Sequence, residues 1–217
     1  MAIPRTIDIT SPKAQQILAG VRSVFLEMGY EGASTDKLAR AAGVSKGTLY
    51  NYFPDKETLF IAFVEAECRK QAGLIFTVKN QSADIETVLR EIAHNYVKIG
   101  PSSFVQGIYR LALAEATRFP ALARTFYDSG PDLASRRMVQ LLAGAVAKGE
   151  LEIDDLDMAT HQFAQLCKAD LFEKCLFQVK LSVTSEEIER IANSAVDVFL
   201  RAYRAKKPVE SATSIRD

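Results

Sequence analysis

The chain has 217 residues, 48% of them hydrophobic, and its 27 Lys and Arg balance 27 Asp and Glu to a formal net charge of zero. That length buries a substantial core in one or two domains, and abundant Leu, Ala, Glu, Arg and Lys without Trp point to an all-α chain. Cys68, Cys167 and Cys175 have no CxxC spacing, which excludes a disulfide framework and fits a reducing cytoplasm; no apolar run reaches bilayer length, and MAIPRTIDIT is no signal segment.

Residues 1–10 read as a loose arm, either a disordered tail or a segment that reaches a minor groove through Arg5. Ser11 and Pro12 open a first helix, with the hydroxyl as cap and Pro in the first turn. Ile17, Val21, Val24 and Met28 recur at helical spacing, flanked by Leu18 and Phe25, and Gly29 and Gly32 end the helix. Next comes the stretch around which the chain is organised, Ser34 to Lys56. Thr35 can cap a short helix over Asp36 to Ala42, whose Leu38, Ala39 and Ala42 make a small apolar face. Gly43 follows, where a left-handed turn costs Gly nothing. A second helix opens at Ser45 and closes at Phe53, with Val44 and Leu49 plugging the angle between the two.

This is a helix-turn-helix, which points to double-stranded DNA. Gly47 lies inside the second helix, where Gly is disfavoured by about 1 kcal/mol relative to Ala. Close approach to a phosphate or groove wall would select it, and Lys46, Thr48, Tyr50, Asn51 and Tyr52 surround it with hydrogen-bonding groups. Lys56 falls in the first turn of the next helix, opposing its dipole, so an external anion is expected to answer it. Charge is distributed accordingly. Residues 1–56 carry seven Lys and Arg against five Asp and Glu, an excess that a two-fold dimer doubles.

A long fourth helix runs from Asp55 to about Asn80 through Leu59, Phe60, Phe63, Ala66 and Cys68. A fifth covers Asp84 to Ile99 and a sixth Ser103 to Thr117, separated by Gly100-Pro101-Ser102. The seventh starts after Phe119-Pro120, is interrupted at Gly130-Pro131 and resumes to Lys148. Asp154 or Asp155 caps an eighth helix that runs to about Val179, and Thr184 with Glu187 has the capping-box spacing for the last, whose apolar stripe is Ile188, Ile191, Ala195, Val198 and Ala202. Residues 206–217 form a polar, disordered tail.

The segment AGVSKGTLYNYFPDKETLF resembles the signature of the TetR/AcrR family of one-component transcriptional regulators, without a gap from about Val24 to Phe63. AEATRFPALARTFYDSGP, GELEIDD and AVDVFLRAYR resemble the C-terminal domain of its AefR-like subgroup. The resemblance implies a three-helix DNA-binding domain over residues 1–56 and a helical effector-binding and dimerisation bundle over 57–205. It implies that Thr35, Ser45, Thr48 and Lys56 hold phosphates, that Tyr50 and Tyr52 contact backbone or thymine methyls, and that Lys46, Gly47 and Asn51 lie nearest base edges. On packing grounds alone, Tyr50 and Phe53 could simply fill the small domain.

It further implies a homodimer through the last two helices. Phe163, Leu166, Cys167, Leu171, Phe172, Leu176 and Phe177 spread around much of the eighth helix, more apolar surface than one inward face requires. A pocket for a small apolar or aromatic effector would draw on Phe63, Tyr96, Tyr109, Phe126 and Phe163, with Glu67, His94, Gln165 and Cys167 as polar groups; each can equally be plain core. No cofactor, metal site or catalytic constellation is expected. His94 and His161 are isolated, and Cys167 and Cys175, eight residues apart on one helix, would stand too far apart for a disulfide. The leading expectation is a homodimeric repressor on a palindromic operator, released by a small molecule. The alternative is a constitutive or protein-partner-controlled DNA-binding dimer.

Overall fold

The computed structural model describes residues 9–80 and 83–206; residues 1–8 of the expected arm, Arg5 among them, and residues 207–217 of the expected tail lie outside them. Eleven helices make up the described residues: α1 (Pro12–Gly32), α2 (Thr35–Ala41), α3 (Lys46–Tyr52), α4 (Lys56–Ile75), α5 (Ile85–Ile99), α6 (Ser103–Glu115), α7 (Pro120–Ser129), α8 (Pro131–Ala147), α9 (Leu156–Lys168), α10 (Leu171–Leu176) and α11 (Ser185–Tyr203).

Most starts are chemically marked. Ser11, Ser45, Asp55, Asp84, Ser102 and Asp155 each accept a backbone N–H three residues on, satisfying a donor the helix itself cannot. Thr184 and Glu187 form the reciprocal capping box expected of them. The cap of α2 is Ser34, not Thr35: the Ser34 hydroxyl accepts from Lys37 N at 3.4 Å. Thr35 becomes the first helical residue, which frees its hydroxyl for the surface.

Two buried clusters hold the molecule. The first packs Ile17, Val21 and Phe25 of α1 against Leu38, Leu49 and Phe53 and continues into Leu59, Phe60 and Phe63 of α4. Phe25 stands 4.8 Å from the Phe60 ring and 5.4 Å from the Phe63 ring, so α4 closes the base of the helix-turn-helix. Burying such a ring stabilises by about 1.5–3 kcal/mol. The second cluster joins Leu89 and Ile92 of α5, Met138 and Leu142 of α8, Phe163 of α9 and Val196 and Phe199 of α11.

The expected eighth helix is two helices. The chain breaks at Asp170, a non-glycine residue at φ 67°, and the break is pinned by Arg190 Nη2 donating to Asp170 Oδ2 at 2.9 Å. Turning there lets Leu171 and Phe172 point inward, where the Phe172 ring covers Gly100. Cys167 and Cys175 therefore sit on separate helices, both buried. Phe163, Cys167, Leu171 and Phe172 are covered within this one chain, so the apolar excess expected to await a partner is largely consumed internally; Phe177 stays exposed.

Candidate nucleic-acid interface and ligand cavity

The helix-turn-helix is built on a close approach. An added Cβ at Gly20 in α1 would stand 2.4 Å from Ala42 Cα and 2.8 Å from the Ala41 carbonyl oxygen, so α1 lies directly against the α2–α3 turn. Gln16 Nε2 donates to the Ala42 carbonyl at 3.0 Å from the turn before. Gly43 takes φ 65° and Val44 N returns to the Ala39 carbonyl at 3.0 Å, which satisfies the end of α2 while the chain reverses. Leu49 and Phe53 are buried beneath α3.

The opposite side of α3 is presented outward. Lys46, Gly47, Tyr50 and Asn51 are exposed, with Thr48 and Tyr52 half-buried. Ser45 Oγ accepts from Thr48 N at 3.0 Å and lies 2.9 Å from Thr48 Oγ1. Tyr50 Oη donates to Thr35 Oγ1 at 3.3 Å, bringing two of the expected contact residues together across the two helices. Lys46 Nζ pairs with Asp36 at 2.7 Å, a surface ion pair that holds the amine over the α2–α3 groove. Beside Gly47 a Cβ would meet only Ser45 Oγ, at 3.7 Å, so no protein neighbour demands glycine there. Lys56, expected to meet an external anion, also has contacts within the chain. Its Nζ donates to the Tyr30 carbonyl at 3.0 Å and sits 4.2 Å from the Tyr30 ring centroid.

Tyr30 also connects outward. Its ring meets Phe119, ahead of α7, edge-on at 4.9 Å, and Arg118 next to it pairs with Glu31. On the other side of α1, Arg22 lies 4.2 Å over the Phe104 ring of α6 and 3.6 Å from Glu67 of α4. The head is thereby joined to the body through α4, α6 and the start of α7.

Within the body lies a cavity of 410 Å³, walled by the end of α4 and by α5 through α9. Leu113 and Tyr127, exposed at 63% and 54%, stand at its rim. Tyr96, Tyr109, Phe126 and Phe163 line it, as does Gln165. Tyr109 stacks edge-on against Phe126 at 4.9 Å and Phe172 at 5.0 Å. Burial raises the hydroxyls of Tyr96 and Tyr109 above the usual phenol range, so both are neutral donors.

Four expected pocket residues lie elsewhere. Phe63 is spent in the head core, Glu67 faces Arg22, and Cys167 is buried in the second cluster. His94 lies between α5 and α11, outside the cavity. Helical periodicity could not separate these, because adjacent turns of one helix serve different partners. Conversely, Lys168 and Thr160 line the cavity although nothing at sequence level singled them out. They stand eight positions apart in α9, a spacing that repeats a helical face.

Known proteins share both halves of this arrangement. Residues 17–63 match the model of the bacterial regulatory proteins of the tetR family, and residues 87–205 match the AefR-like transcriptional repressor C-terminal domain. The HTH-type transcriptional repressor AcnR of Corynebacterium glutamicum is 41% identical over 158 residues, 73% of this chain and 79% of that one. A TetR-family transcriptional regulator from Mesorhizobium loti superimposes with a TM-score of 0.82 at 26% identity, covering 89% of this chain and 97% of the other. The Flavonoid-responsive Regulator FrrA superimposes with a TM-score of 0.76 at 35% identity, covering 90% and 98%. Among the described residues no helix is long and apolar enough to cross a membrane. With a capped helix-turn-helix, a helical body and matches to both parts, the chain belongs to the TetR family, DNA-binding transcriptional regulators rather than enzymes.

Proposed function

We propose that this chain works in the cytoplasm as a homodimeric repressor of a palindromic operator, released when a small apolar or aromatic molecule enters the cavity. Residues 1–56 serve as the DNA-binding part and 57–205 as the effector-binding and dimerisation part. One observation carries the reading: Lys56, at the first turn of α4, holds Tyr30 of the head, and Ile75, the last residue of the same helix, lines the cavity. A molecule that alters the seat of Ile75 shifts a helix that closes the head core. The dimer is assigned to the last helical layer, where Met158 of α9 and Val198 of α11 are exposed at 53% and 45%.

Thr35, Ser45, Thr48 and Lys56 are assigned to phosphates, Tyr50 and Tyr52 to backbone or thymine methyls, and Lys46, Gly47 and Asn51 to base edges. For Lys56 this requires exchanging the Tyr30 carbonyl for a phosphate oxygen. A two-fold dimer reads half-sites about 34–36 Å apart. Lowering operator affinity 100-fold needs a coupling of about 2.7 kcal/mol between ligand and DNA. The flavonoid response of FrrA, 35% identical, agrees with a flat aromatic effector.

The test is selection of bound sequences from random duplex DNA with wild type, Lys46→Ala and Tyr52→Ala, followed by an effector screen on the selected site. An enriched palindrome, relaxed in the variants and released by a cavity ligand, is the expected result. Operator affinity that no ligand alters would favour the constitutive or protein-controlled dimer, and the absence of any sequence preference would refute the reading.

A further inference from the structure

The chemistry of the cavity wall is lopsided. A second void of 90 Å³ adjoins the 410 Å³ cavity, and Ile75, Tyr96, Tyr109, Phe126 and Lys168 are among the residues that line both. Neither lining holds an Asp, Glu or Arg; among the described residues the basic side chains facing this space are Lys168, which lines both voids, and His161, which lines the larger one. Lys168 Nζ lies 5.4 Å from the Phe172 ring centroid and 6.0 Å from that of Tyr109, and no carboxylate of the described residues lies within ion-pair distance. Two turns earlier on α9, Thr160 Oγ1 is buried without a hydrogen-bond partner.

An ammonium on an apolar wall is a cost unless something pairs with it. The aromatic faces recover part of that cost. The remainder is visible as burial drawing the Lys168 amine below the ordinary lysine range. Among the described residues nothing acidic lines this space to compensate. The missing charge would come with the ligand, while Tyr96, Tyr109 and Phe126, which line both voids, offer aromatic surface for a flat ring system to rest against. A volume of 410 Å³ lies in the ordinary range for a drug-sized molecule.

We propose that the effector is a flat aromatic acid whose anionic oxygen, carboxylate or ionised phenol, pairs with Lys168 while its rings rest against Tyr96, Tyr109 and Phe126. This rests on the effector-controlled reading above and adds the class of ligand. The neutral Tyr96 and Tyr109 hydroxyls supply further donors to the same anion, and Thr160 a hydroxyl for a second polar group.

The experiment uses three probes on the full-length protein: naphthalene-2-carboxylate, naphthalene-2-carboxamide and 2,4-dinitro-1-naphthol, the last ionised at neutral pH. Binding is followed by calorimetry, and operator release by fluorescence anisotropy of the selected duplex. At least one acid is expected to bind wild type about tenfold or more tighter than the carboxamide, a preference lost in Lys168→Met and kept in Lys168→Arg. Which acid it is distinguishes a carboxylate from a phenolate effector. Lys168→Met is expected to bind the carboxamide at least as well as wild type does, which separates loss of the charge from loss of the fold.

Equal binding of acids and amide to wild type, an acid preference that survives in Lys168→Met, or failure of all three probes to bind would overturn the proposal. Carboxamide binding that releases the operator would overturn it while leaving effector control standing. Acid binding that depends on Lys168 but leaves the operator bound would support the ligand class and refute effector control.

Discussion

Replacing Gly20 by Ala tests whether the head is organised by the contact between α1 and the α2–α3 turn. The new methyl would lie 2.4 Å from Ala42 Cα, 2.8 Å from Ala41 O and 3.0 Å from Ala42 N, all of them backbone atoms. Ordinary carbon contacts lie at about 3.5–4.0 Å, so α1 and the turn must part by about 1 Å, with no rotamer available to relieve them. Overpacking of this kind costs about 1–3 kcal/mol. Ala in a helix interior returns about 1 kcal/mol of that, leaving a net loss of up to about 2 kcal/mol. For a chain of this size that lowers Tm by up to about 8 °C. Gly144 in α8 is the matched control. A Cβ there meets nothing within 4 Å, so Gly144→Ala should gain about 0.5–1 kcal/mol. The assays are thermal unfolding of both variants and operator titration of each. Gly20→Ala should also bind operator more weakly, because the turn that aims α3 is displaced. A Gly20→Ala protein as stable as Gly144→Ala, with unchanged operator affinity, would refute the packing argument.

Other expectations follow from single contacts. Thr184→Ala removes half of the capping box that starts α11 and should cost about 1 kcal/mol in urea or thermal unfolding, with operator recognition by the folded protein unaffected. Burial pushes the thiols of Cys68 and Cys167 from 9.0 up to about 12. The unfolded chain therefore releases these protons first: their contribution is fully present below pH 9.0 and is lost as pH rises to about 12. Comparing urea midpoints at neutral pH and at about pH 10, the wild type should lose on the order of 1 kcal/mol per buried thiol, and a Cys68→Ala, Cys167→Ala double variant should not show that slope. The same burial predicts that both thiols react slowly with disulfide reagents in the folded protein and readily after unfolding.

How much of this was legible in the sequence depends on the range of the interaction. Gly43, Ser45, Leu49 and Phe53 announce the helix-turn-helix because each acts within a few residues of itself. The capping box at Thr184 and the interruption at Gly130 are local in the same sense. Gly20 gave no signal, since its reason is a neighbour twenty-two positions away. The break at Asp170 was equally silent: neither Gly nor Pro marks it, and its anchor, Arg190, arrives from the next long helix. The cavity shows the same limit at a finer scale. Tyr96, Tyr109, Phe126 and Phe163 face it, while Phe63, also aromatic and also in a helix, turns toward Phe25. Only the arrangement of six helices decides between the two fates.

That arrangement also constrains how a ligand can act on the head. Helix α4 is buried on several sides, with Leu59, Phe60, Ala62, Phe63 and Val64 all inaccessible, so it cannot slide over the head without disturbing the Phe25 cluster. The second route, from Phe126 along α7 to Phe119 and Tyr30, ends at the residue that Lys56 grips. Both routes converge on the junction of α1 with the start of α4, and neither runs through α2 or α3. On the effector-controlled reading proposed above, a ligand in this cavity would therefore act by tilting the helix-turn-helix as a unit rather than by deforming it. That behaviour would leave the half-site sequence preference intact and alter the half-site spacing the dimer accepts.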